Sequence, residues 1–362
     1  MKNWTMGASA LALIAAAGTA GAQEWSVSVS GGSVAGFGYI DTDIARHDTV
    51  IVSRTDATIA ARLVADNGLT FGSSLTLLAN ANGSDAGQDI AEDGYGVFVS
   101  GSFGRLDIGT ANGPQRAFLP RVPRTAFTGA GRGGGLLFDG EYNRGETPAG
   151  GLPDDRGANL GTNRKIAYTT PSFSGFAAGI AYSPGQREFS NTASSNISQS
   201  RPGEGIEFGA GYRGNFGDFS VQVGGGYTTF LNNPRAGSSD SGYAFGGQVG
   251  FAGFALGATY GVNDRVRADD VEMLALGASY RTGPWAFALN YGIALGGNTG
   301  TTTIDRNRED DYGLSFGVDY ALAPGVVVGG SVEYSEADRT HTTAAGRDDS
   351  AFGVGVFMGL SF

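Results

Sequence analysis

Apolar and polar residues alternate along most of this chain. In its last stretch Phe352, Val354, Val356, Met358, Leu360 and Phe362 are separated by Gly353, Gly355, Phe357, Gly359 and Ser361. A period of two marks a β-strand with one apolar face, because successive side chains point to opposite sides. The same stripe appears at 25–29, where Trp25, Val27 and Val29 oppose Ser26 and Ser28. At 285–291 Trp285, Phe287, Leu289 and Tyr291 fall together, and at 312–320 Tyr312, Leu314, Phe316, Val318 and Tyr320 oppose Ser315 and Asp319. The pattern predicts sixteen strands, starting near residues 25, 50, 69, 94, 104, 164, 175, 206, 219, 243, 254, 272, 285, 312, 325 and 351.

The connections between these strands alternate in length. "DNG" (66–68), "SFG" (102–104), "SFSG" (172–175), "FAG" (251–253) and "LAPG" (322–325) carry tight-turn chemistry. The others are long and polar: 41–49, 80–93, 110–163, 183–205, 228–242, 261–271, 292–311 and 335–350. An antiparallel meander sends alternate connections to opposite ends, so one end is trimmed and the other elaborated. That asymmetry belongs to outer-membrane barrels, with short periplasmic turns and long external loops. Tyr and Trp recur at strand ends (Trp25, Tyr39, Tyr182, Tyr260, Tyr291, Tyr334), as interfacial girdles require. The faces opposite the apolar stripes carry charge inside strands: Arg54, Asp56, Arg62, Arg105, Asp107, Lys165, Glu207, Asp319 and Glu333. Sixteen strands enclose a lumen too wide for side chains to fill. The reading is therefore all-β: a 16-stranded antiparallel transmembrane β-barrel in the bacterial outer membrane. Its last strand must pair with its first, since an open edge in lipid leaves backbone groups unsatisfied at several kcal/mol each. Phe362 is then expected at the short-turn interface.

Composition narrows the picture. The chain of 362 residues has 63 Gly without a Gly-X-Y period, so it is not collagenous. It has no Cys, so the fold uses no disulfide. A formal charge of −11 argues against nucleic acid as a partner. Lys2, the apolar run "ASALALIAAA" (8–17) and "AGA" (20–22) read as a signal peptide over 1–22. Residues 23–362 then form a single barrel domain.

Residues 110–163 form a connection far longer than the roughly 12–15 residues that structureless loops rarely exceed. It carries Phe118, Leu119, Phe127, Leu136, Leu137, Phe138 and Tyr142. A free external loop needs few large apolar groups, whereas a segment folded into the lumen must pack on the wall. The third external loop is therefore expected to fold inward and constrict the pore. "EDGYGVFVSGSFGRLDIG" (92–109), followed by this Gly-rich segment, resembles strands four and five of the trimeric general porins of Gram-negative bacteria, particularly the alphaproteobacterial type. "KIAYTTPSFSGFAAGIAYSPG" (165–185) resembles the next hairpin of that family.

The resemblance implies passive diffusion of ions and small hydrophilic solutes, a homotrimer, and outer-membrane lipid and lipopolysaccharide as surroundings. It also implies a constriction where acidic loop residues face wall arginines. Parity puts Arg54, Asp56 and Arg62 on one face of their strand, and Arg105 and Asp107 likewise, which makes them wall candidates. Asp139 and Glu141 are the candidate acids of the loop, which also carries Arg116, Arg121 and Arg124. The alternative is a substrate-selective channel with a binding site for sugar or anion, marked by an aromatic track or a single-sign cluster along the lumen.

Three motifs suggest other chemistry. "GAGRGG" (129–134) matches a dinucleotide fingerprint but lacks the flanking strand and helix. "GLSFG" (313–317) matches a nucleophile elbow but lies within a predicted strand, and the only histidines, His47 and His341, fall in predicted loops. An enzyme and a cofactor are therefore not expected. "DTD" (41–43), "EDD" (309–311) and "RDD" (347–349) offer oxygens to Ca²⁺ but no EF-hand pattern. Solvated loop charge, bridged to lipopolysaccharide by divalent cations or idle, is their plainer reading.

Overall fold

In a computed structural model the chain forms one closed antiparallel barrel. The structure describes residues 25–42, 49–80, 90–110, 112–128, 137, 160, 163–184, 204–231, 239–265, 270–296, 311–339 and 347–362. The signal-peptide region, His47, His341 and the 129–134 motif lie outside these residues. The first five strands are β1 (Trp25–Thr42), β2 (Thr49–Val64), β3 (Thr70–Asn80), β4 (Ile90–Gly101) and β5 (Gly104–Gly109). A short helix, α1 (Pro114–Phe118), precedes β6 (Lys165–Thr169), β7 (Phe176–Ser183), β8 (Gly205–Phe216), β9 (Phe219–Phe230) and β10 (Ser239–Phe251). The rest are β11 (Phe254–Arg265), β12 (Val271–Thr282), β13 (Trp285–Gly296), β14 (Tyr312–Ala323), β15 (Val326–Arg339) and β16 (Arg347–Ser361).

Each strand pairs with its neighbours in sequence, and β16 returns to β1 in the register Gly32↔Ser361 through Thr42↔Ala351. At the seam the Gly31 N–H donates to the Phe362 carbonyl (2.9 Å), and the Phe362 N–H donates to the Gly31 carbonyl (3.1 Å). The alternating terminal stripe thus closes the wall to its last residue. At the short-turn end, β10 and β11 meet at Phe251↔Phe254 across Ala252 (φ 49°) and Gly253 (φ 86°). Two successive positive φ values give the hairpin twist that matches strand twist.

The strands run further into the long connections than the sequence predicts. β10 begins at Ser239, β11 continues to Arg265, and β15 and β16 pair as far as Arg339↔Arg347. "RDD" (347–349) is therefore strand rather than loop. Backbone pairing continues past the apolar stripe because the polar side chains there have partners. Tyr312 and Tyr334 donate to Glu336 at 2.7 and 2.9 Å, and Tyr260 donates to Glu272 at 2.5 Å.

The two faces of the wall differ sharply. Leu276, Leu289 and Val354 are 42–48% exposed, whereas Asn290, next to Leu289, is 1% exposed. The exposed apolar stripe continues over every strand, as an outer, lipid-facing surface requires. Residues 112–128 lie on the opposite face and touch strands from β7 round to β16. With α1 compact, residues 114–128 reach about 40 Å. A path over that arc outside a tilted wall would need about 55 Å or more. The segment therefore runs inside the barrel, along the inner wall.

Candidate functional site

The site is the inner wall together with the segment seated on it. β5 ends where the Thr110 hydroxyl bonds the Tyr95 backbone, accepting from its N–H (2.7 Å) and donating to its carbonyl (3.1 Å). Pro114 at the first helical position starts α1 without wasting a donor. From there the segment runs along a bed of glycines. A Cβ at Gly209 would strike the Pro114 carbonyl, at Gly226 the Gln115 backbone (2.7 Å), and at Gly257 the Pro123 ring (2.7 Å). At Gly277 it would meet Val122 and the Pro123 carbonyl (2.8 and 2.7 Å), and at Gly329 the Phe127 ring (2.9 Å). Missing side chains on the wall make room for the segment's backbone. Part of the unusual glycine content has this use.

Buried polar groups then fix the segment. The Gln115 N–H donates to Glu207 Oε1 and the Leu160 N–H to Glu207 Oε2, both at 2.7 Å. The Ala126 N–H donates to Asp319 Oδ2 (2.5 Å) and the Leu137 N–H to Glu333 Oε1 (3.4 Å). Asn290 Nδ2 donates to the Pro123 carbonyl (2.6 Å). Glu207, Glu333 and Asn290 are all at or below 1% exposure. Apolar contact completes the seat: Phe127 and Leu137 join Ile40, Val52 and Phe357 in one buried cluster, with the Phe127 and Phe357 rings 5.2 Å apart. Phe357 is the one aromatic that breaks the polar half of the terminal stripe, and that break was the sequence's signal for an inner contact.

Arg54, Asp56 and Arg62 lie on β2 with the parity of the inner face; Asp56 stands beside Gly32, and Arg62 is exposed. Arg105 and Asp107 lie together on β5, where the guanidinium grips the carboxylate through Nε (2.8 Å) and Nη2 (2.7 Å). The same guanidinium stacks 3.7 Å over Phe98. Arg116 sits in the only turn of α1, and Arg121 and Arg124 project from the segment beyond it. Asp139 and Glu141 lie outside the described residues, as does the pairing expected of them. In the described part of the segment, wall carboxylates accept from loop N–H groups, while Asn290 and Thr228 of the wall donate to loop oxygens. Glu207, Asp319 and Glu333 were legible as inner-face charges, but nothing local in the sequence marks them as loop anchors.

Ser315 of the "GLSFG" motif is buried inside β14, paired with Asn290 and Glu333, not on a strand-to-helix turn.

The family model for Gram-negative porins matches residues 8–340 of this chain. It belongs to that family. The porin is also similar in structure to an engineered variant of the Rhodopseudomonas blastica porin (TM-score 0.59, 19% identity), covering 93% of this chain and 100% of that one. A second variant from the same organism matches over the same shares with a TM-score of 0.57 and 19% identity. A comparison with curated proteins found no match. The family and the closed barrel make this an outer-membrane protein of Gram-negative type that lets solutes pass by passive diffusion. A channel, rather than an enzyme, is what the family indicates.

Proposed function

We propose that the porin admits ions and small hydrophilic solutes up to a limit set by residues 110–163. The observation that carries this reading is the segment's place: it leaves β5, runs inside the barrel and is bonded to β8, β13, β14 and β15 before β6 begins. A sixteen-stranded barrel without an insert is a wide aqueous hole. To the lining of the remaining opening we assign Arg54, Asp56, Arg62, Arg105 and Asp107 of the wall and Arg116, Arg121 and Arg124 of the segment; Asp139 and Glu141, the acids proposed for its loop side, lie outside the described residues. Diffusion through it needs neither cofactor nor catalysis.

We also assign a homotrimer. Among the described residues, ring–ring contacts on the outer face join β7 through β15 and are absent from β16 through β6. In the ring-poor sector small residues meet at mid-wall, and Ser33 and Thr55 spend their hydroxyls on each other (3.0 Å). A protein neighbour suits that sector better than lipid does. Elsewhere the Tyr–Glu pairs above the apolar band suit a lipopolysaccharide headgroup layer, and the acidic long loops remain candidates for divalent cations.

Deleting about residues 129–141 tests the size limit. Single-channel conductance should rise severalfold and larger sugars should enter liposomes, because the lumen reverts towards its bare width. Heat-stable oligomers should persist, since no wall strand is touched. Unchanged conductance and cutoff would place the limit elsewhere.

A further inference from the structure

We propose that Glu207 is a positioning residue of the pore: its single carboxylate ties both legs of the 110–163 segment together and to the wall, and so fixes the width that solutes meet. The proposal rests on the reading of that segment as the constriction.

The geometry is specific. Gln115 lies on the outgoing leg and Leu160 on the returning one, and each gives its N–H to a different oxygen of the same group. Closing so long a loop costs conformational entropy. A clamp at the neck confines the opening motion to the span between the legs, which Asp319 and Glu333 subdivide by holding Ala126 and Leu137. The surroundings serve the carboxylate. Gly113 leaves the space its Oε1 occupies, where any Cβ would collide. The Thr228 hydroxyl donates to Gln115 Oε1 (2.7 Å) and orients the outgoing leg. Lys165, itself buried, interacts with Glu207 electrostatically and compensates a charge withdrawn from water.

An ionised carboxylate only accepts hydrogen bonds, through both oxygens, whereas an amide offers one acceptor oxygen and turns donors towards the other leg. Glu207→Gln keeps the shape but can hold only one leg. Losing a hydrogen bond to a charged acceptor, worth about 1.5–3 kcal/mol, makes the freed leg roughly 10–100 times more often detached.

The experiment uses the full-length porin in planar bilayers and sugar-loaded liposomes, with Glu207→Gln, Gly113→Ala and the 129–141 deletion side by side. Both point variants should raise open-channel noise and admit a larger sugar than the parent, with oligomer heat stability unchanged. Gly113→Ala reaches the same result by displacing the carboxylate, which guards against an effect peculiar to Gln. Parental noise and cutoff in both point variants, with a widened pore in the deletion, would overturn the role of Glu207 and leave the constriction in place. A deletion that also changes nothing would mean that the constriction reading itself had failed. Loss of the heat-stable oligomer in both point variants would make Glu207 a residue of wall folding, and that too would overturn its role in positioning.

Discussion

Two sectors of the same inner wall use charge in opposite ways. Across β8–β15 the buried charged side chains are Glu207, Asp319 and Glu333, which lie under the segment and accept its backbone N–H groups, while Arg213 and Arg281, at inner-face positions of β8 and β12, stay exposed. Across β2–β5 they are Arg54, Arg62 and Arg105 with Asp56 and Asp107, and Arg62 and Arg105 stay exposed. In sequence the two sets look alike, each a charge at a lumen-facing position of a strand. What separates them is the partner. A carboxylate occupied by N–H donors has given its charge to the fold. A guanidinium facing water still acts on whatever passes. On the proposed reading, the buried carboxylates of the first sector position the constriction, and the exposed guanidiniums of the second supply most of its field.

The strongest way to break this division is to fill the glycine bed. At Gly277 a side chain would press on Val122 and the Pro123 carbonyl, within 2.7–2.8 Å already at Cβ. Gly277→Leu should cost about 1–3 kcal/mol by overpacking. Because the segment is the softer partner, it should be lifted from the wall, changing conductance and cutoff more than oligomer heat stability. Ala60→Leu, on the inner face of β2, presses on no described part of the segment and should leave the cutoff near the parent's. Equal behaviour of the two variants would erase the distinction between the sectors.

Replacing Arg54, Arg62 and Arg105 together with Ser probes the other sector. A unit charge about 10 Å from a permeating ion in water contributes ~0.4 kcal/mol, and screening in 0.1 M salt reduces three such charges to ~0.5 kcal/mol combined. Because the change favours cations and disfavours anions by that amount alike, the permeability ratio should shift towards cations by roughly fivefold. Reversal potentials in a salt gradient read this directly. Asp319→Asn, which removes a charge from the anchoring sector, should move the reversal potential much less. If Asp319→Asn moves it as far as the triple variant, the carboxylates are part of the field after all.

The wall was legible in the sequence because its cause is local. A strand between lipid and water must alternate, and Phe352, Val354 and Val356 show it within a few residues. The predicted strand starts fall within a few residues of those observed. The misses lie where a partner is distant or polar. The ends of β10, β11, β15 and β16 look like loop because they lack the apolar stripe, yet hydroxyl–carboxylate pairs such as Tyr312–Glu336 sustain them. The glycine bed was visible only as a composition. That Gly257 and Gly277 face Pro123, rather than lipid, follows from contact between residues more than a hundred positions apart. Glu207 is unmarked for a similar reason, since its two donors, Gln115 and Leu160, lie 92 and 47 positions away.

The smallest expected effect concerns the pair within the arginine sector. Arg105 binds Asp107 through two nitrogens while its plane rests on Phe98, with the arginine side chain 46% and the aspartate 16% exposed. Such a pair near water contributes 0–1 kcal/mol, so Asp107→Asn should leave folding and oligomer heat stability unchanged within about that range. Its consequence should be electrostatic. The carboxylate now cancels much of the field of Arg105, and removing it leaves a full positive charge held in place by the ring. Anion preference should therefore rise slightly, in the direction opposite to the triple arginine variant, and more so at 0.01 M than at 1 M salt because the Debye length falls from about 30 to about 3 Å. If Asp107→Asn leaves the reversal potential unchanged at low salt, Arg105 lies outside the path of the ions. The field of the sector would then belong to Arg54 and Arg62 alone.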